Sequence, residues 1–205
     1  MLHAFTDADG DDPSAGLVRD KAGNLYGVTY DGGASDRGVV FKVDQAGRET
    51  VLYSFAGSTD GSLPLGGLVR DAAGNIYGTT HFGGDRSCDP HVNGCGVVFK
   101  LDKASKETVI HAFAGSDGAY PVGDLIGDTA GNFYGSTDAG GRTVFELGKN
   151  GKLKVLHFFG GSGGWDPVAG VIMDKVGNLY GTTARGGKGH CPLKTSCGVV
   201  FKLAP

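Results

Sequence analysis

Five side chains break an otherwise regular pattern in this sequence: Tyr120, Asp124, Asp138, Arg142 and Trp165. Their chemistry suits recognition of a sugar, since an aromatic face can stack on a pyranose ring while aspartate and arginine hydrogen-bond its hydroxyls. Trp165 is the single tryptophan. It reads equally well as a stacking platform or as a cap on a structural junction. Other reactive groups are scattered. Asp7, Asp9, Asp11 and Asp12 offer clustered oxygens of the kind a hard cation takes, which makes calcium a candidate there against a solvated acidic loop. His3, His111 and His157 recur at one position that Tyr53 fills in the remaining copy, a pattern of packing more than of a catalytic base. Nothing matches a nucleophile elbow, a phosphate loop or a zincin helix, so no catalytic residue is assigned.

The four cysteines form two like pairs, Cys88 with Cys95 and Cys191 with Cys197, and each second member stands directly before Gly-Val-Val-Phe. Equivalent pairs in equivalent loops predict two local disulfides and an oxidising, extracellular or cell-surface location. Zinc is the rival, because His81, Cys88, His91 and Cys95 could supply four ligands. The second loop offers only His190, Cys191 and Cys197, which favours the disulfides.

These residues must be positioned by a repeated element. The stretch Asp-x-x-Gly-Asn-(Leu/Ile/Phe)-Tyr-Gly occurs at 20–27, 71–78, 128–135 and 174–181, each time with a threonine two residues beyond its last glycine. Aspartate can cap the backbone two residues on, and the glycine at the fourth position can take the positive φ of a tight hairpin. The run that follows alternates its side chains as a strand does. The Asp, Asn and Tyr are therefore read as turn and packing residues, not as catalysts.

Each repeat of about 50 residues carries four strand signals, in the range of propeller blades. In the first they are 2–5, 16–19, 24–29 and 39–43. The expected fold is all-β, a β-propeller of four blades with four antiparallel strands each, in one domain over 1–205 with repeats 2–51, 52–109, 110–155 and 156–205. The chain begins with an outer-strand segment and ends after Val-Val-Phe-Lys-Leu, so the N-terminal strand is expected to complete the last blade and close the ring. The rival is a larger ring completed by a second chain or by further repeats. Tight turns then occupy one face, and the variable interblade and Gly-Gly loops the other. Function is expected on the second face, where repeat three has the shortest Gly-Gly loop and lowers the rim near the five irregular residues.

Taken together, Asp-x-x-Gly-Asn-Leu-Tyr-Gly-x-Thr, the Gly-Gly pair and Gly-Val-Val-Phe-Lys resemble the bacterial GloVer tandem-repeat proteins over essentially the whole chain; the Asp-Gly-Asn-Leu-Tyr portion is more distantly similar to NHL-type propellers. The resemblance implies secretion or surface display and brings no catalytic residues. A net charge of −3 with no basic run recommends neither nucleic acid nor an anionic membrane. No apolar stretch approaches the roughly 20 residues of a membrane helix. The sequence thus predicts a monomeric, secreted or surface-displayed binding module for glycan or protein, without a resident cofactor. A glycan-active hydrolase or lyase is the alternative.

Overall fold

The computed structural model describes residues 1–88, 94–160, 163–188 and 196–204. They fold into four antiparallel sheets. The first contains β1 (Val18–Arg19), β2 (Leu25–Thr29), β3 (Val39–Val43) and β4 (Glu49–Ser54); the second β5 (Val69–Arg70), β6 (Ile76–Thr80), β7 (Val97–Leu101) and β8 (Glu107–Ala112). The third contains β9 (Ala119–Gly127), β10 (Phe133–Ala139), β11 (Thr143–Leu147) and β12 (Leu153–Phe158). The fourth contains β13 (Trp165–Pro167), β14 (Ile172–Met173), β15 (Leu179–Arg185) and β16 (Val199–Leu203). In the first three sheets the strands lie in chain order from inner to outer, so each is a meander and each repeat is a propeller blade.

The repeated stretch builds the hairpin between the first two strands of every blade. In the first, Asp20 Oδ1 accepts the Asn24 backbone N–H at 2.9 Å, while Asp20 Oδ2 accepts Asn24 Nδ2 at 2.8 Å and the Tyr26 hydroxyl at 3.0 Å. Asp71, Asp128 and Asp174 do the same for their own Asn and Tyr. Gly23 turns the corner at φ 86°, in the left-handed region where a Cβ is strained. The threonine beyond the stretch roots the Gly-Gly loop: Thr29 Oγ1 donates to the Asp31 carbonyl at 2.8 Å and accepts the Val39 N–H at 3.3 Å, as Thr80 and Thr183 do in their blades.

Blades pack face to face through one recurring apolar interface. Val40, Val98 and Val144 are fully buried on the trailing faces of blades one, two and three. Leu68, Leu125 and Val171, buried to within 5 %, meet them from the leading face of the following blade. A phenylalanine at the end of each outer segment lies edge-on to the third strand of the next blade: Phe55 on Phe99, Phe113 on Phe145, Phe159 on Phe201, with centroids 4.9–5.3 Å apart. Edge-to-face rings of this kind each contribute about 0.5–1.5 kcal/mol beyond their burial.

The fourth sheet corrects the expected closure. β13 and β14 both pair with β15, and are two pieces of the inner strand that β9 makes continuous in blade three. Beyond β15 stands β16, which among the described residues pairs with β15 alone, so the blade lacks an outer strand. Residues 2–5 form no strand. They lie instead on blade one, where Phe5 packs on Phe41 at 4.9 Å and His3 Nε2 meets Asp9 Oδ2 at 3.0 Å, as an outer segment lies on the blade that follows it. The physical reason is that the apolar contact that seats every outer segment on the following blade seats residues 2–5 on blade one, with Phe5 against Phe41, Val39 and Val43. Blade four's trailing face is therefore open, with Val200 80 % and Ile172 70 % exposed.

Of the expected disulfides, Cys88–Cys95 is formed, with Cα atoms 5.9 Å apart, and this removes zinc from that loop. His91 and Cys191 lie outside the described residues, and with Cys191 the expected Cys191–Cys197 pair. No helix among the described residues is long and apolar enough to cross a membrane.

Candidate functional site on the long-loop face

The residue before each blade's proline (Asp12, Leu63, Tyr120, Asp166) is held at φ 52–57°. Such values are uncommon for residues with a Cβ, and here backbone hydrogen bonds over-determine them. Leu63 N–H donates to the Arg37 carbonyl at 2.9 Å, and Tyr120 N–H to the Cys95 carbonyl at 2.8 Å. One backbone device thus presents a different side chain at each blade mouth. The residue after the repeated threonine does likewise: Tyr30, His81, Asp138 and Ala184.

Around blade three these positions converge. Only residues 140–142 join β10 to β11, whereas 81–96 join the corresponding strands of blade two. On one side His81 from blade two lies against Tyr120 with ring centroids 5.3 Å apart, Phe82 is edge-on to both, and His81 Nδ1 stands 3.3 Å from the Pro121 carbonyl. On the other side Arg142 and Arg185 both meet Asp166, Nε to Oδ1 at 2.7 Å and Nε to Oδ2 at 3.3 Å. Their guanidinium carbons lie 4.4 and 5.3 Å from the centre of the Trp165 ring, a cation–π bracket that joins blades three and four. Trp165 keeps 38 % of its surface exposed.

Between the two clusters stands Asp138. Burial pushes its carboxyl above the ordinary aspartate value, with the positive charges of His81 and Arg142 opposing and Asp166 adding to the rise. Burial pushes His81 the other way, below the usual imidazole range, against its contact with Pro121 and the charge of Asp138. The two groups interact electrostatically across the boundary between blades two and three.

Four of the five expected residues, Tyr120, Asp138, Arg142 and Trp165, therefore share this rim. Asp124 does not. It sits deeper, on the inner strand β9, where its Oδ1 accepts the Gly67 N–H at 2.6 Å beside an axial cavity of ≈ 540 Å³ also lined by Gly16, Leu65 and Val168. His81, Asp166 and Arg185 are additions. Aligning the repeats on their threonine would have marked His81, which occupies the place of Asp138 one blade earlier.

Of the four candidate calcium ligands, Asp9 and Asp11 have side chains with hydrogen-bond partners within the chain. Asp9 accepts the Thr6 N–H at 2.7 Å as well as facing His3, and Asp11 Oδ1 accepts the Asp12 N–H at 2.9 Å. Among the described residues the ligand atoms that gather are those of His3, Asp9 and Glu49, within 4.8 Å of one another, and not those of the four aspartates.

The profile of the Gloeobacter/Verrucomicrobia repeat matches residues 1–144 and 89–205, and the chain belongs to that family. No curated protein matches it. Among solved structures it is similar to a gluconolactonase from Xanthomonas campestris at 15 % identity, covering 91 % of this chain and 57 % of that one with a TM-score of 0.56. A luciferin-regenerating enzyme matches at 13 % identity, 93 % and 60 % coverage and a TM-score of 0.56. The extracellular domain of a B. thetaiotaomicron protein assigned to a one-component system matches at 14 % identity, 85 % and 20 % coverage and a TM-score of 0.59. At these identities the likeness is one of fold, and the chain spans about three fifths of the two enzymes and one fifth of the third protein.

Proposed function

We propose that this Gloeobacter/Verrucomicrobia repeat protein is a non-catalytic binding module, secreted or displayed at the cell surface, that takes a glycan on its long-loop face at blade three. The observation that carries this reading is the convergence of Tyr120, Asp138, Arg142 and Trp165 on one lowered rim. Aromatic faces and planar hydrogen-bonding groups from three blades border the same dip, which is what a sugar ring with hydroxyls on its edge requires. A local disulfide and the likeness to an extracellular domain support the location.

Retention on a panel of immobilised polysaccharides tests the proposal, with Trp165→Ala as the control. Loss of the stacking face should weaken binding to the retained polysaccharide by about 1–3 kcal/mol while the melting temperature falls by only a few degrees, since Arg142 and Arg185 keep their ion pairs with Asp166 across the blades. A fall in melting temperature with affinity intact would make Trp165 a cap between blades and overturn its place in the site.

The second reading is a glycan-active hydrolase or lyase, and the His81–Asp138 pair favours it. A half-buried carboxyl whose proton affinity burial raises, near an imidazole whose proton affinity burial lowers, is a candidate acid and base. New reducing or unsaturated ends from the same panel, lost in Asp138→Asn, would establish it in place of the binding module.

A further inference from the structure

Three positions recur where an outer segment runs onto the blade that follows it. The first stands two residues before the packed phenylalanine: His3, Tyr53 and His111, each edge-on to Phe5, Phe55 or Phe113. The second is the aspartate of the interblade Asp-Gly pair: Asp9, Asp60 and Asp117. The first meets the second in every case, His3 Nε2 to Asp9 Oδ2 at 3.0 Å, the Tyr53 hydroxyl to Asp60 Oδ2 at 3.0 Å and His111 Nε2 to Asp117 Oδ2 at 2.8 Å. The third position opens the blade's own outer strand, cross-strand from Val43, Leu101 or Leu147: Glu49, Glu107 and Leu153.

The junction on blade one fills all three with metal-ligating groups, one of them an imidazole. Ligand atoms of His3, Asp9 and Glu49 lie within 4.8 Å of one another, the one such group of three among the described residues. The next junction has a phenol in place of the imidazole, and the one after it a leucine in place of the glutamate. Glu49 carries an independent sign of a missing partner. Its Oε1 is buried and accepts no hydrogen bond, a costly state for a carboxylate, and the charged groups beside it are Asp9 and His3. The other two ligands are already oriented. Asp9 Oδ1 is taken by the Thr6 N–H at 2.7 Å and the Thr6 hydroxyl at 3.1 Å, which turns Oδ2 toward His3. The His3 ring is set by its edge contact with Phe5, and Phe5 by Phe41. His3 and Asp9 keep 21 % and 24 % of their side-chain surface exposed, so an ion can enter from solvent.

We propose that His3, Asp9 and Glu49 bind one divalent cation of the zinc class, with water completing the shell. Two ligands about 2.0–2.1 Å from a tetrahedral ion stand roughly 3.3 Å apart, close to the 3.0 Å between His3 Nε2 and Asp9 Oδ2. His3 ligates as the neutral imidazole with its proton on Nδ1, and the two carboxylates balance the charge of the ion. An imidazole with two carboxylates suits zinc, whereas calcium takes about six to eight oxygens. The bound ion fastens residues 3–9 to β4.

Calorimetric titration of the metal-free 205-residue chain with zinc chloride tests the site, read beside the melting temperature. The wild type should take up one zinc ion per chain and melt several degrees higher with it. His3→Ala and Glu49→Gln should each weaken uptake at least tenfold and abolish the thermal shift. His111→Ala, at a junction without the glutamate, should leave both unchanged. Tyr53→His sets an imidazole beside Asp60 and Glu107 and should raise the uptake to two ions, which covers the case in which His3→Ala folds poorly. Zinc uptake that is absent, or that is indifferent to His3→Ala and Glu49→Gln, overturns the proposal. Calcium bound in preference to zinc with the same dependence on Glu49 overturns it too, as does a Tyr53→His chain that still takes up a single ion.

Discussion

Replacing valine by alanine at four repeat-equivalent sites measures how far each blade is covered. Val40, Val98 and Val144 are 0 % exposed and Val200 is 80 % exposed. The substitution removes two methyl groups, worth about 1.6 kcal/mol of transfer free energy where burial is complete, and the cavity left behind raises this to about 2–2.5 kcal/mol. Each of the three buried variants should therefore melt about 4–10 °C below wild type, given the size of the chain. Val200→Ala should change stability by less than about 0.5 kcal/mol, as surface substitutions do. The assay is thermal and urea unfolding at sub-micromolar concentration. A Val200→Ala cost equal to that of Val144→Ala under those conditions would refute the reasoning, since it would mean that blade one closes over blade four within a single chain.

Glu107 gives a pH signature. Burial, with Asp60 beside it, pushes its carboxyl up to about 7, and its Oε1 is buried without a hydrogen-bond partner. The folded chain thus holds a proton that the unfolded chain releases near the ordinary glutamate value, so this contribution to stability is full below about pH 4.3 and is lost as pH rises through about 7. Glu107→Gln should flatten the melting temperature against pH over that window; an unchanged slope would count against a protonated Glu107. Reduction of Cys88–Cys95 should cost about 2.5 kcal/mol on the chain-entropy account of a short loop, lowering the melting temperature without unfolding the protein. Complete unfolding in reductant at 25 °C would show that the bridge does more than restrain that loop.

The sequence by itself determined whatever is local. Asp20, Asn24 and Tyr26 lie within six residues of one another, so their spacing dictates the hairpin and its hydrogen bonds wherever the chain runs. The Cys88–Cys95 bridge has a separation of seven and was legible for the same reason. Repetition extended this to strand order, because a period of blade length with four strand signals leaves few sheets to choose from. What tertiary structure alone decided depends on rotation between blades. That rotation brings His81 against Tyr120 from 39 residues away, leaves Asp124 on the axis holding Gly67, and sets Arg142 over Trp165. It also decides the closure. Residues 38–42 and 198–202 are the same five amino acids, and nothing within them distinguishes the buried Val40 from the exposed Val200. Burial there is a property of the neighbouring blade, which a strand cannot specify for itself.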